Sequence, residues 1–430
     1  MNTLAVGNSR REEFGLDPRK RRPGVMRIPL ILGIFGLMFV QTVSALSFPE
    51  FVQCVGATGH DPVCKLDAGI YPVSETISLG RSNITIEGTM LGTLLESTLQ
   101  RAPGFESALI SDVNAIGTTL KSITIRDLTF DGNQAQNTEP YYSYNPDVSI
   151  FVINDLLIEN SSFINSPNIG LGIYGAGAGG VVVDKSYFGN PVAFGMWSDA
   201  IGDNSGITYQ ECASKKFVSN VTVKRSVFEN AGEPALLGEM TNVTISENVF
   251  TNNHSNTIPF GDNGGQIDLT VCTENAVIWK NTFQDGSASP NGTTADGIEL
   301  HGTHISVIDN TVKNNSGGGI FMDGVQHILI SNSDPRTGSF GNGQSGIEIA
   351  HSSSTFRRTE WITVDSAITT GNAQYGIWSD TSSTTPNEPV NHLTIENSCV
   401  ADNTLSPTYL VNLGPAVTIK NNTESGCGPK

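Results

Sequence analysis

Six residues in the second half of the chain carry side chains suited to acid–base chemistry: Asp268, Asp296, Glu299, His301, Asp323 and Glu348. Each lies in or beside a short segment of alternating apolar residues, Gly265–Leu269, Gly297–His301, Gly319–Asp323 and Gly346–Ala350. In an extended strand, alternate side chains point to opposite faces, so where Ile298 and Leu300 face inward, Glu299 and His301 face outward. Two carboxylates held close together repel each other, so one keeps its proton while the other stays ionised. That division of labour is what cleavage of a glycosidic bond requires.

If the segments stack in order, two outward columns result. One reads Gly172, Trp197, Leu236, Asp268, Glu299, Phe321, Glu348 and Trp378; its neighbour reads Tyr174, Asp199, Gly238, Thr270, His301, Asp323, Ala350 and Asp380. Acids in the middle are flanked by aromatics, and Tyr174, Trp197, Phe321 and Trp378 are expected to offer flat surfaces to sugar rings. At strand spacing, Asp268 and Glu299 lie about 5 Å apart at the backbone, and Glu299 and Glu348 about 9.6 Å. His301, beside Asp323, is placed to orient or relay a proton. His254, His304, His327, His351 and His392 fall at turns or strand starts and read as surface or ladder residues. The segments Gln134–Ser149, with Tyr141, Tyr142 and Tyr144, and Gly286–Ala295 read as insertions that could wall the groove.

Stacking is implied by a repeat. An apolar-x-apolar-x-x-(Ser/Asn)-x-Phe phrase ends at Phe130, Phe163, Phe188, Phe228, Phe250 and Phe283, with a Val312 variant and weaker copies from Ile84, Ile328, Ile362, Leu393 and Val417. Period-two alternation makes each phrase a strand. The Asn two residues after an anchor, as at Asn165, Asn190, Asn230, Asn252 and Asn314, suits a turn with an unusual backbone angle. Units this short cannot bury their apolar faces alone, but a stack of them can. The fold class expected is all-β, a single right-handed parallel β-helix of about 11 to 12 coils.

On these phrases, and on Leu66–Leu79 as a first coil, residues 66 to 425 resemble the pectate-lyase-like superfamily of right-handed β-helix proteins. The resemblance implies the architecture; the superfamily contains hydrolases, lyases, epimerases and passive binders. Thr294-Ala-Asp296-Gly297 is similar to the Asn-x-Asp-Gly phrase of polygalacturonase-like hydrolases, which makes Asp296 a candidate acid. The next coil, Ser316–Phe321, has no Asp-Asp, and neither Gly-His-Gly nor Arg-x-Lys occurs, so galacturonan is not implied.

The remaining organisation follows from composition. Residues 1–25 read as a possible mis-assigned extension, 26–45 as a signal peptide with a short apolar run and a Val43-Ser44-Ala45 end, 46–65 as a cap, and 426–430 as a tail. Export places the protein outside the cytoplasm, secreted, periplasmic or at the cell surface, with no stable membrane anchor after signal cleavage. Six cysteines in the exported part suit an oxidising compartment, and the pairings expected are Cys54–Cys64, Cys212–Cys272 and Cys399–Cys427. A net charge of −18 excludes nucleic acid as a natural partner.

A polysaccharide or other glycan is the expected partner, and a capped monomer the expected state. A polysaccharide glycoside hydrolase is the leading reading. A lyase or epimerase of the same fold and a non-catalytic glycan-binding or cell-surface protein are the alternatives. No cofactor is required and no dedicated metal site is read, although Ca2+ is a rival use of the same oxygens.

Overall fold

The computed structural model describes residues 44–138, 145–175, 178–199, 211–254, 264–288, 292–350, 358–380, 389–411 and 413–426, without the Asp380 side chain. The expected signal peptide up to residue 43, Tyr141, Tyr142, Tyr144, His351 and Cys427 lie outside these residues.

The chain winds as a right-handed parallel β-helix whose coils contribute one strand to each of three long parallel sheets. The first sheet has 13 strands, from Val63–Lys65 to Thr418–Lys420; the second has 12, from Gly69–Val73 to Cys399–Ala401; the third has 12, from Ile77–Ser78 to Ser406–Leu410. The repeat phrase straddles the first two sheets, and the glycine-opened segments form the third. One assignment changes: Pro146–Ile150, expected within an insertion, is a strand of the third sheet paired with Ile110–Ser111 and Ile169–Tyr174.

The inside of the solenoid is built in layers. Phe130, Phe163, Phe188, Phe228, Phe250 and Phe283 stack ring on ring at 4.5–4.9 Å between centroids, all fully or almost fully buried. Two residues before the Phe, a Ser or Asn turns inward at the bend in every coil from Phe163 to Phe283, and Leu128 takes that place before Phe130. Asn281, for example, accepts from the backbone N–H of Asn248 at 2.9 Å and donates to the Ile245 carbonyl at 2.9 Å. These bonds satisfy backbone groups that the bend removes from the sheet ladders. The turn asparagines after the anchors do adopt left-handed angles, φ 50, 55, 57, 53 and 56° at Asn165, Asn190, Asn230, Asn252 and Asn314.

The glycines that open the third-sheet strands have a steric cause. A Cβ at Gly170, Gly195, Gly297, Gly346 or Gly376 would lie 2.7–2.8 Å from a carbonyl oxygen of the next coil. Glycine lets the coils approach so closely at this bend, although Ala235 and Gln266 hold the same position in two of the coils.

The amino-terminal end is closed by a helix, Phe48–Val55. It buries Phe51 and Val55 against the first coil and is tied by Cys54–Cys64 to the first strand of the first sheet. The Cys212–Cys272 disulfide is also present. Cys399 is disulfide-bonded, and its expected partner lies beyond the described residues. No helix among the described residues is long and apolar enough to cross a membrane.

Candidate active site

Strand pairing in the third sheet brings the acids together. Asp268 pairs with Glu299, Glu299 with Phe321, Phe321 with Glu348, and Glu348 with Trp378, so residues 31, 22, 27 and 30 positions apart in the chain form one outward column.

One coil of that column is shifted by one residue from the sequence expectation, while Gly172 pairs with Trp197 and Tyr174 with Asp199 as expected. Trp197 pairs with Leu237, and Leu237 with Asp268, while Leu236 is wholly buried in the core. Glu239 therefore replaces Gly238 in the neighbouring column, and its N–H donates to the Ser198 carbonyl at 3.2 Å. Glu239 was missed because Leu236-Leu237 offers two apolar residues in a row and no opening glycine. Its carboxylate is buried and close enough to Asp268 to raise that group's pKa.

Asp296 joins the same face by a backbone irregularity. Gly297 and Ile298 donate consecutive N–H groups to Gly318 and Gly319 of the next coil, at 3.1 and 3.0 Å. This breaks the alternation, so Asp296 and Glu299, three residues apart, both face outward. Asp296 Oδ1 accepts from the Gly318 N–H, and Glu348 Oε1 accepts from Ser345 N–H at 3.0 Å. A Cβ on Gly318 would sit 2.9 Å from Glu348 Oε1 and 3.2 Å from Asp296 Oδ1, so Ser316-Gly-Gly-Gly319 is the floor on which these two acids rest.

His301 is held at both ring nitrogens, Nδ1 at 3.0 Å from the Asp323 carbonyl and Nε2 at 2.8 Å from Glu299 Oε1. Two acceptors already flank the ring, which favours the doubly protonated, cationic form. Burial by itself would lower the His301 pKa. The hydrogen bond that His301 donates to Glu299, with the charges of Glu299, Asp268 and Asp323, outweighs it and lifts the value to about 9.

The carboxylic acids move the other way in charge. Burial, then the charge of Glu299, pushes Asp268 well above the usual carboxylate range. Burial, then Glu299 and Glu348, does the same for Asp296; burial raises Glu348, held back by Ser345. One cluster thus contains three carboxyls whose burial favours the protonated form, beside a Glu299 hydrogen-bonded to His301.

Three oxygens here are sealed from solvent and have no hydrogen-bond partner: Asp268 Oδ1, Thr270 Oγ1 and Glu299 Oε2. Thr270 follows Asp268 by two on the outward side of the strand that pairs with the Glu299 strand. Buried orphan oxygens are costly in a folded core and collect where a ligand or reacting group will meet them.

The flanking aromatics divide into two kinds. Trp197 is only 7% exposed, packed with Ile169, Ala193, Phe194, Tyr174 and Leu237, and Tyr174 stacks on Phe151 at 4.6 Å. These two close the upstream end of the groove with a small apolar cluster. Phe321 and Trp378 are half-buried. Among the other histidines, His254 is buried, 3.9 Å from Glu233, rather than on the surface; His304, His327 and His392 belong to an external ladder.

Among the described residues, Asp268, Glu299 and His301 are the group spaced for a cation, one ligand atom of each lying within 4.8 Å of the others. Calcium takes six to eight oxygens, and this set supplies two carboxylates and an imidazole whose nitrogens are both engaged. The donor set is a poor match to calcium.

The family model described as "Right handed beta helix region" matches residues 202–388. No curated protein matches the chain. Among solved structures, a mutant of the periplasmic alginate epimerase AlgG is similar at 10% identity and a TM-score of 0.54, covering 89% of this chain and 84% of that one. The catalytic unit of the GH87 alpha-1,3-glucanase from Streptomyces thermodiastaticus is similar at 14% identity and a TM-score of 0.50, covering 89% and 67%. The surface adhesin PfbA of Streptococcus pneumoniae matches at 15% identity and a TM-score of 0.47, covering 81% and 85%. With its three parallel sheets and its likeness to the two structures at TM-scores of 0.50 and above, the chain is a right-handed parallel β-helix of the pectate-lyase-like fold, a fold shared by proteins of different activity.

Proposed function

We propose that the protein is an exported carbohydrate-active β-helix that hydrolyses a glycosidic bond, with Asp268 as general acid and Glu299 as the ionised partner. The observation that carries this reading is the clustering of Asp268, Glu299 and His301 within 4.8 Å, each carboxyl with one sealed, unpartnered oxygen, Asp268 with its pKa raised by burial and Glu299 bonded to His301. Asp268 donates its proton to the leaving oxygen. Glu299 attacks the sugar carbon as its bond to the leaving oxygen breaks, and a water that gives a proton to Asp268 then displaces Glu299 and completes the hydrolysis. The approach of their ligand atoms within 4.8 Å suits the close pair of a retaining enzyme, about 5 Å, better than the wide pair of an inverting one.

His301 holds Glu299 in one rotamer, and Asp296 and Glu348 line the next two coils, where they meet sugar hydroxyls. Phe321 and Trp378 give the ring faces a surface to rest on. The reading needs no metal or cofactor. The solved proteins at TM-scores of 0.50 and above are named for action on polysaccharides, alginate and alpha-1,3-glucan, which makes a glycan the ligand class to try first. Disulfides at Cys54–Cys64 and Cys212–Cys272 support an extracellular or periplasmic setting.

Lyase or epimerase chemistry on a uronate is the second reading. It is favoured by the His301 imidazolium, a positive group able to face a substrate carboxylate. It is opposed by the absence of Lys and Arg from both outward columns among the described residues. Reducing-sugar release over a panel of neutral and acidic polysaccharides, with absorbance for unsaturated products and a parallel run in chelator, separates the readings. Hydrolysis is expected on a neutral polymer, unaffected by chelator, and Glu299→Gln is expected to lower kcat by about 10²–10⁴ while binding persists. Unsaturated product would establish a lyase. Binding that Trp378→Ala abolishes, with no turnover of any polymer, would establish a binder.

A further inference from the structure

At the corner where each coil passes from the third sheet to the first, one residue per coil takes the left-handed backbone conformation. Asn220, Asn242 and Asn275 occupy it in three successive coils, at φ 56, 54 and 58°, and their amides bond from coil to coil at 3.3 Å. Asparagine tolerates this conformation better than most residues.

The next four coils place His304, His327, Trp361 and His392 there instead, at φ 56, 56, 62 and 51°. Their rings stack with centroids 4.6, 5.9 and 3.7 Å apart and planes within 14° of parallel. A bulky aromatic at positive φ is an outlier that carries strain, and strained residues collect at ligand sites. The asparagine coils show that the corner closes without rings, yet Trp361 is present and 47% exposed.

Beside the stack lies a groove of about 380 Å³, lined by His327, Leu329, Trp361, Thr363, His392 and Thr394 among others. Its lining holds no Asp, Glu, Lys or Arg, and it shares no residue with the acid cluster.

We propose that this ladder is a second glycan-binding surface, with Trp361 as its anchor and neutral sugar rings as its ligand. A sugar has apolar C–H faces edged with hydroxyls. The groove answers with Trp361 and Leu329 for the faces, and with Thr363, Thr394 and the imidazole nitrogens, which donate and accept, for the edges. A lining without formal charge suits an uncharged ligand, and the net charge of −18 disfavours a polyanion. The surface lies around the corner from Glu299, so it would hold a polymer beside the reactive groove without competing for it.

The test uses the full exported chain carrying Glu299→Gln, so that no ligand is consumed, and the same chain carrying Trp361→Asn as well. Asparagine fits the left-handed turn, so the double variant should melt at the same temperature or higher. Tryptophan fluorescence and affinity electrophoresis are read with neutral gluco-, xylo- and manno-oligosaccharides and with an oligouronate. Binding of at least one neutral probe is expected, weakened tenfold or more by Trp361→Asn, with no such effect on the oligouronate. Unchanged affinity in the Trp361→Asn chain, or no binding of any neutral probe, overturns the proposal; a lower melting temperature with unchanged binding overturns it too and makes the ladder structural. A wild-type chain that hydrolyses nothing but shows the Trp361 effect would defeat the hydrolase reading alone.

Discussion

At residue scale, the site stores a pH dependence whose sign follows from its groups. His301 has a folded pKa of about 9, above its ordinary 6.5, so the stability it contributes is fully present below pH 6.5 and is lost as pH rises through about 9. A shift of that size corresponds to about 3 kcal/mol. His301→Gln should therefore lower the melting temperature most at pH 6 and least above pH 9, as thermal unfolding across pH would read out. Asp268 has a raised pKa, so its native state keeps a proton that the unfolded chain has lost above about 3.8, and stability falls as pH rises from there. Asp268→Asn removes this penalty. It should raise the melting temperature at pH 7, lose that gain near pH 3, and abolish turnover at the same time. A stabilised but inactive variant is the expected signature of a group kept for chemistry rather than for folding.

At the scale of elements, the asparagine bends depend on their inward amides. Asn281→Ala would leave the Asn248 N–H and the Ile245 carbonyl without partners inside the solenoid, at about 1–3 kcal/mol for each group. Phe228→Ala would open a cavity in the ring stack at about 3–5 kcal/mol. Denaturant unfolding should show a loss of several kcal/mol for each variant, of comparable size in the two. The phrases that build these layers were plain in the sequence, because a Phe, a Ser or Asn, and a turn Asn recur in fixed order. The strand Leu236–Gly238 was not: it has three residues, two adjacent leucines and no opening glycine, so alternation alone assigns either leucine to the core. Pairing with Trp197 and Asp268 on the neighbouring coils decides the matter and brings Glu239 into the site. Asp296 was chosen for its Gly297 neighbour, but its shared face with Glu299 comes from two consecutive N–H donations to the next coil.

For the whole molecule, the two ends differ. The amino-terminal helix covers the first coil, while the last first-sheet strand, Thr418–Lys420, leaves Ile419 53% exposed. That edge is short and carries the Lys420–Glu396 ion pair, features that discourage edge-to-edge pairing between chains. We expect a monomer, and light scattering behind a sizing column should return a mass for one chain at micromolar concentration. A dimer that Ile419→Lys dissociates would show instead that the open edge is an interface.

The sequence by itself determined the solenoid, its repeat unit, the outward direction of Asp268, Glu299, His301 and Glu348, and the acidic, disulfide-forming character of the chain, because alternation and turn chemistry are local properties. Only the tertiary structure decided which outward residues become neighbours, which acids keep their protons and which aromatics are covered. Those depend on the register between coils and on burial, and both arise from contacts between residues twenty to forty positions apart.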